Sequence, residues 1–218
     1  AQAKSPVSAG ATEHGDNRDP AGFSSRGPAH DGRIKPDVMA PGVSNRSVLG
    51  NTQNDTPPPL FNNNPTAARQ GTSMSAPTVS GGAALLRQYF MDGFYPSGVR
   101  SDEDQVVPSG ALMKSVIING ARPYADTPSS EPGWGRMYLD DTLYFAGDTR
   151  DLRVWDRPNG AGLKQGESER FTVSVGAGEE FRATLTWTDP PALSAVGRAR
   201  SNDLDLRVEG AGQTWLGN

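Results

Sequence analysis

The first place in this sequence where chemistry could be done is a serine at the mouth of a stretch able to form a helix. It stands in Gly71-Thr72-Ser73-Met74-Ser75-Ala76-Pro77. The unpaired N–H groups of a helix's first turn, together with the helix dipole, stabilise negative charge. Acyl transfer creates such a charge, an oxyanion, beside the attacking oxygen. A serine placed there can offer its Oγ as nucleophile and its own backbone N–H as oxyanion donor. Gly71 permits the tight approach that a side chain would block, and Thr72 helps to shape the loop. Pro77 reads as a first-turn proline, where a missing N–H costs little. The plainer reading of the same residues is an ordinary Ser/Thr cap before an amphipathic helix. Spacing alone leaves both open.

The elements that must position Ser73 are legible around it. From Ser73 onward, Val79, Ala83, Leu86 and Phe90 recur as one face of a helix, which Gly93 and Pro96 end. Gly81 and Gly82 would weaken that helix unless they serve close packing against a neighbour. A second helix is predicted from Ser109, its cap, to Asn119, with Gly120 closing it. Leu112 pairs with Val116 and Met113 with Ile117, so both faces are apolar and the helix should be buried. Upstream, Pro6-Val7-Ser8-Ala9-Gly10-Ala11-Thr12 reads as a short strand. Gly22-Phe23-Ser24-Ser25-Arg26-Gly27-Pro28 and Lys35-Pro36-Asp37-Val38-Met39-Ala40-Pro41-Gly42 read as extended stretches closed by turns. Residues 51–70, rich in Asn, Thr and Pro, read as a mobile surface loop bordering the substrate cleft, because they feed directly into Gly71.

After Asp148 the period changes to two. Phe171, Val173 and Val175, then Phe181, Ala183, Leu185 and Trp187, then Leu204, Leu206 and Val208 alternate with polar residues. Three half-buried strands are expected. The chain therefore divides into residues 1–147 and residues 148–218, the second part an incomplete β-sandwich of jelly-roll type.

Composition narrows the classes. The 218 residues include 26 Gly and 18 Pro, and only 34% are hydrophobic. Such a balance predicts turns and loops around a modest core, not a helical bundle. A net charge of −4 offers nothing to nucleic acid or to an anionic membrane. With no cysteine there is no disulfide framework, thiolate metal site or cysteine nucleophile. No apolar run is long enough to span a membrane, and no signal peptide stands at residue 1.

Gly71-Thr72-Ser73-Met74-Ser75-Ala76-Pro77 resembles the nucleophile signature of the subtilisin family of serine peptidases. The extended stretches at 23–28 and 35–42 match the family in order and approximate spacing. Gly133-Trp134-Gly135-Arg136, followed by Leu139 and Leu143, resembles its closing segment. The likeness covers roughly residues 5–147. It implies an α/β fold with a parallel sheet, here the C-terminal part of a catalytic domain. It also implies a serine endopeptidase with a triad in the chain order Asp, His, Ser, acting on protein or peptide substrates.

Two departures qualify this. The family's Asp-Thr/Ser-Gly and His-Gly-Thr motifs are absent before Ser73, and its oxyanion Asn has no counterpart. The only histidines are His14 and His30. In the family their interval is a surface turn, and a general base there is the disfavoured alternative. Asp37 falls outside the triad motifs and reads as structural. The expectation is a chain that supplies the nucleophile and stands beside an upstream half holding Asp, His and Asn. Without that half, one side of the parallel sheet would be an unpaired edge. The chemistry requires no cofactor.

The stretch Ser201-Asn202-Asp203-Leu204-Asp205-Leu206-Arg207-Val208 looks like part of the β-domain that follows the catalytic domain in some large bacterial subtilases. Such a domain would brace the catalytic part. Asn202, Asp203 and Asp205 could bind a structural calcium. The alternative is that the two aspartates are simply the solvent face of a strand. The resemblance further implies secretion. The competing function, of another class, is a non-catalytic protease-derived scaffold or binding module.

Overall fold

Parallel strands β1 (Ala9–Thr12) and β2 (Val38–Pro41) pair in register, Ala9 opposite Val38 and Thr12 opposite Pro41. The computed structural model in which they pair describes residues 4–15, 18–48, 66–192 and 200–217. Val38, Met39 and Ala40 are consecutive and all buried, as a strand covered on both faces requires. Residues 134–137 run parallel along the other edge of β2. Trp134 N–H donates to Asp37 O at 3.0 Å, Met39 N–H to Gly135 O at 2.8 Å and Met137 N–H to Met39 O at 2.9 Å. Gly135 has φ 122°, and a Cβ there would strike the Arg122 backbone. The closing segment thus needs its glycine to lie this close.

The outer edge of β1 is partly occupied from within the chain. Ala11 O accepts from Ala21 N–H at 2.8 Å, and Ala11 N–H donates to Ser24 Oγ at 3.0 Å. The expected bare edge is therefore corrected at this residue. The stretch at 22–28 forms no strand and turns back over β1 instead.

Helix α1 (Thr72–Met91) packs on both strands and buries Val79, Leu86, Tyr89 and Phe90. Ala83, on the same face, is half-buried. Gly82 faces Met137, whose side chain fills the space a Cβ would take, whereas Gly81 meets open space. The close-packing expectation thus holds for one of the two glycines. Helix α2 (Gly110–Asn119) starts where expected: the Ser109 side chain accepts from Leu112 N–H at 3.0 Å. It buries Leu112, Val116, Ile117 and Ile118, and these join Val38, Ala40, Val79, Leu86 and Phe90 in one core. A single turn, α3 (Leu139–Thr142), closes against Gly120.

Strands β3 (Asn45–Val48) and β4 (Thr66–Arg69) pair antiparallel. Residues 66–69 are therefore strand rather than loop. The rest of the expected mobile loop, 51–65, lies outside the described residues.

Beyond residue 150 the architecture is thinner. Strands β5 (Arg207–Gly210) and β6 (Gln213–Leu216) form a hairpin. Ala211 at φ 48° and Gly212 at φ 75° make its two-residue turn, the geometry that suits strand twist. Residues 171–175 and 181–187 carry the expected alternation but belong to no strand. Phe171, Val173, Val175 and Phe181 are all about 40% exposed. Trp155 stacks on Phe171 with ring centroids 4.4 Å apart, and Arg157 pairs with Glu169. Residues 155–157 and 169–171 therefore face each other as antiparallel neighbours would, without belonging to a strand. Among the described residues there is no opposing sheet, so the sandwich expected from the alternation is a hairpin and extended chain.

Candidate active site

Ser73 is the second residue of α1 and is exposed. Ahead of it, Gly71 has φ 144° and ψ 161°, a backbone state open in practice only to glycine. Gly71 N–H donates to Gly42 O at 2.8 Å, and Met74 N–H to Gly71 O at 3.0 Å. No side chain caps the helix. Half-buried Thr72 opens α1 but does not cap it. The Ser73 N–H, one of the groups with no intrahelical partner, is therefore not committed to a cap.

Pro77 is the sixth residue of α1, beyond the first turn in which the sequence suggested it. The N–H it lacks is the one that would bond the Ser73 carbonyl four residues back. The helix is thus loosened at the residue that carries the hydroxyl. Other contacts hold the loop from below. Gly42, at the end of β2, lies so close that a Cβ there would strike Ser75 Oγ and Ala11 Cβ. Asn45 Nδ2 donates to Pro41 O at 3.1 Å and, more weakly, to Met74 O at 3.4 Å. Sequence reading missed Gly42 and Asn45 as parts of this site. Nothing in the spacing tells that an amide 28 residues before Ser73 meets the carbonyl beside it.

His14 is brought near the loop, but not as a base. Its Nε2 lies 2.6 Å from Asn45 Oδ1. That nitrogen is occupied with an amide rather than with Ser73.

The far end of β2 is anchored by charge. Asp37 accepts from Lys35 at 2.5 Å, Lys114 at 3.0 Å, and both the N–H and hydroxyl of Ser8 at 2.7 and 2.8 Å. Burial pushes the Asp37 carboxyl up, but Lys114, Lys35 and Ser8 outweigh that and hold it below its ordinary value. Burial draws the Lys35 ammonium down, against the pull of Asp37. This network fits the structural reading of Asp37.

A groove of about 300 Å³ runs beside α1, lined mostly by apolar groups including Pro41, Pro77, Leu85 and Met137. Leu85 is 52% exposed. The groove is open on this face of α1 among the described residues.

Two of the three calcium candidates have protein partners. Asn202 turns its amide to Asp189 at 3.1 Å, and Asp203 pairs with Arg200 at 2.6 Å. Asp189 also accepts from the N–H groups of Ser201 and Asn202 and pairs with Lys4 at 2.7 Å. Among the described residues no cluster of three or more acidic or histidine side chains could hold a metal ion. No described helix is long and apolar enough to cross a membrane.

A family model described as the Subtilase family matches residues 1–138. Over 233 aligned residues the chain is 31% identical to the serine protease/ABC transporter B family protein tagB of Dictyostelium discoideum, covering 84% of this chain and 12% of that protein. Over 83 residues it is 43% identical to the subtilisin-like protease SBT3.8 of Arabidopsis thaliana, covering 37% of this chain and 10% of the other. Against the solved CspB protease of Clostridium perfringens it shows 28% identity and a TM-score of 0.45, over 62% of this chain and 25% of that one. The chain spans about an eighth of the length of the Dictyostelium relatives.

Proposed function

This chain belongs to the subtilase family, and from that premise we propose that Ser73 is the nucleophile of a serine endopeptidase. The observation that carries the proposal is an exposed Ser73 at the uncapped start of α1, preceded by a glycine at φ 144°. Ser73 Oγ attacks the scissile peptide carbonyl, and the Ser73 N–H donates to the oxyanion. A histidine takes the hydroxyl proton and passes it to the leaving amine; water then releases the acyl group by the same route. That histidine and its aspartate are placed outside the residues present here, because the family's His and Asp motifs are absent before Ser73 and Nε2 of His14 is held by Asn45. The open apolar groove beside α1 supports a further segment packing there. Substrates are proteins or peptides.

Residues 148–218 are read as the beginning of a β-domain that braces the catalytic part. Contacts of Asp156, Arg182 and Thr186 with α2 and its ends support this.

Labelling by a fluorophosphonate tests the assignment. The chain by itself should turn over peptide negligibly, because loss of triad members removes on the order of 10⁶ in rate. With the segment carrying Asp and His bound, Ser73 should label, and Ser73→Ala should abolish labelling. Turnover by the chain alone that Ser73→Ala abolishes would restore His14 or His30 as base. Absence of labelling with that segment demonstrably bound would favour a non-catalytic scaffold.

A further inference from the structure

Asn45 ties together the ends of four elements. Its side-chain amide reaches the carbonyls of Pro41, at the end of β2, and Met74, next to Ser73 in the first turn of α1. Its side-chain oxygen meets His14, just past the end of β1. Asn45 itself opens β3. Carbonyls only accept hydrogen bonds, so both must face the Nδ2 end, and Oδ1 is left to accept. The proton in the 2.6 Å contact therefore belongs to His14 Nε2. The preceding residue, Ser44, has φ 53°, a left-handed state that is strained for a non-glycine residue. The chain accepts that conformation where it turns from β2 into β3 and brings Asn45 under the loop.

We propose that Asn45, oriented by His14, is a positioning residue for Ser73. The inference rests on the reading of Ser73 as nucleophile. Pro77 withholds the helical donor that the Ser73 carbonyl would have. The adjoining carbonyl, Met74 O, receives Asn45 Nδ2 from outside the helix at 3.4 Å, beside the Thr78 hydroxyl at 3.3 Å, and Gly71 N–H is held by Gly42 O. The Asn45 and Gly42 contacts both come from the short stretch between β2 and β3. They fix where the Ser73 hydroxyl stands relative to the sheet ends, where the reacting groups of the triad must meet it. Asn45 bonds to main-chain carbonyls, those of Pro41 and Met74. It acts through the main chain.

The test uses the full-length protease in which this chain stands beside its triad partners. Asn45→Asp keeps the size and a partner for His14 but removes both donors. It should lower kcat and the rate of fluorophosphonate labelling about tenfold, the equivalent of one good hydrogen bond, with KM within about twofold. A purely structural role would instead move the unfolding midpoint and leave kcat per folded molecule unchanged. His14→Ala should lower kcat about threefold. His14→Gln, whose amide can still donate to Oδ1, should recover most of that loss. Asn45→Asp with normal kcat and labelling, in an enzyme that Ser73→Ala inactivates, overturns the proposal and leaves the nucleophile in place. Continued turnover by Ser73→Ala overturns the nucleophile reading itself. Should Asn45→Asp fail to fold, nitrogen NMR of the unsubstituted enzyme decides: neutral His14, identified by the signal that His14→Gln removes, must carry its proton on Nε2. A proton on Nδ1 overturns the proposal.

Discussion

The stretch from β2 to α2 and the stretch from 171 to 187 both announce apolar faces by their spacing, yet they end differently. Val38, Leu86, Phe90 and Val116 are at most 3% exposed, whereas Val173 is 39% and Phe181 44% exposed. The first set finds partners in the same chain, because α1 lies on β1 and β2 and α2 lies on α1. The second has no opposing layer among the described residues. Periodicity tells which face of an element is apolar. Burial, and most of the stabilisation, depends on a second face to meet it.

The sharpest way to break the contrast is through its polar part, since the well-packed region also holds a buried charge network. Asp37→Ala would leave Lys35, whose side chain is 3% exposed, and Lys114, 13% exposed, without their shared carboxylate. Removing one partner of a buried ion pair costs about 3–5 kcal/mol. Denaturant unfolding of the full-length protein reads this directly. Acid gives a second reading. A folded-state value below the unfolded one means that the unfolded chain binds more protons between the two. The contribution of Asp37 is therefore complete above the ordinary carboxylate value, about 4. It is lost as pH falls from there through the lower folded-state value. The unsubstituted protein should lose stability over that window, and the variant should lose less. A stability difference independent of pH there would break this account.

Paired truncations sharpen the contrast next. Leu86→Ala in a core position with no exposure should cost about 2–5 kcal/mol. Val173→Ala, 39% exposed, should stay within about 0.5 kcal/mol, the range of surface changes away from special features. Equal losses would mean that residues 171–187 are covered in the full-length protein. The difference between the regions would then reflect partners elsewhere in the full-length protein and not the fold of residues 171–187.

The same contrast explains how far the sequence could be read. Helices α1 and α2 were legible because Val79, Leu86 and Phe90, and then Leu112 and Val116, keep helical spacing and are fenced by Ser109, Gly93 and Gly120. Strands β1 and β2 were legible from small and β-branched residues closed by Gly and Pro. Ser73, Gly71 and Thr72 stood out as a group through the resemblance of their heptapeptide to a family signature; composition and spacing alone fitted an ordinary helix cap equally well. Pairing was not legible. The β3 sequence Asn-Arg-Ser-Val has no apolar alternation to mark its partner, which starts 18 residues after Val48. Residues 134–137 join the sheet through backbone bonds to Asp37 and Met39, with room that Gly133 and Gly135 leave, and no alternation marks this. Asn45 could not be found because its role depends on which carbonyls the fold brings to it. After residue 170 the alternation was read as three strands; 204–208 overlaps β5, whereas 171–175 and 181–187 form none, because a ladder needs a neighbour.

The smallest effect tests whether the two regions are joined at all. Asp156, from the thin region, accepts from the N–H and hydroxyl of Ser109 at 2.8 and 2.6 Å, and Ser109 Oγ in turn caps α2. A carboxylate at a helix N-terminus gains from the dipole, and a lost cap interaction costs about 1 kcal/mol. At the other end of α2, Arg182 donates to Ala121 O at 3.1 Å, and Asn119 Nδ2 to Arg182 O at 3.2 Å. Thr186 donates to Ala111 O at 2.6 Å, so extended chain follows the helix along its length. Asp156→Ala should therefore lower the unfolding free energy of the core by about 1 kcal/mol. It should also raise amide exchange at Gly110, Ala111 and Leu112 ahead of the rest of α2, because the first turn frays first. If exchange there stays unchanged, residues 151–189 hang beside the core without bracing it. The contrast between the regions would then be one of attachment as well as packing.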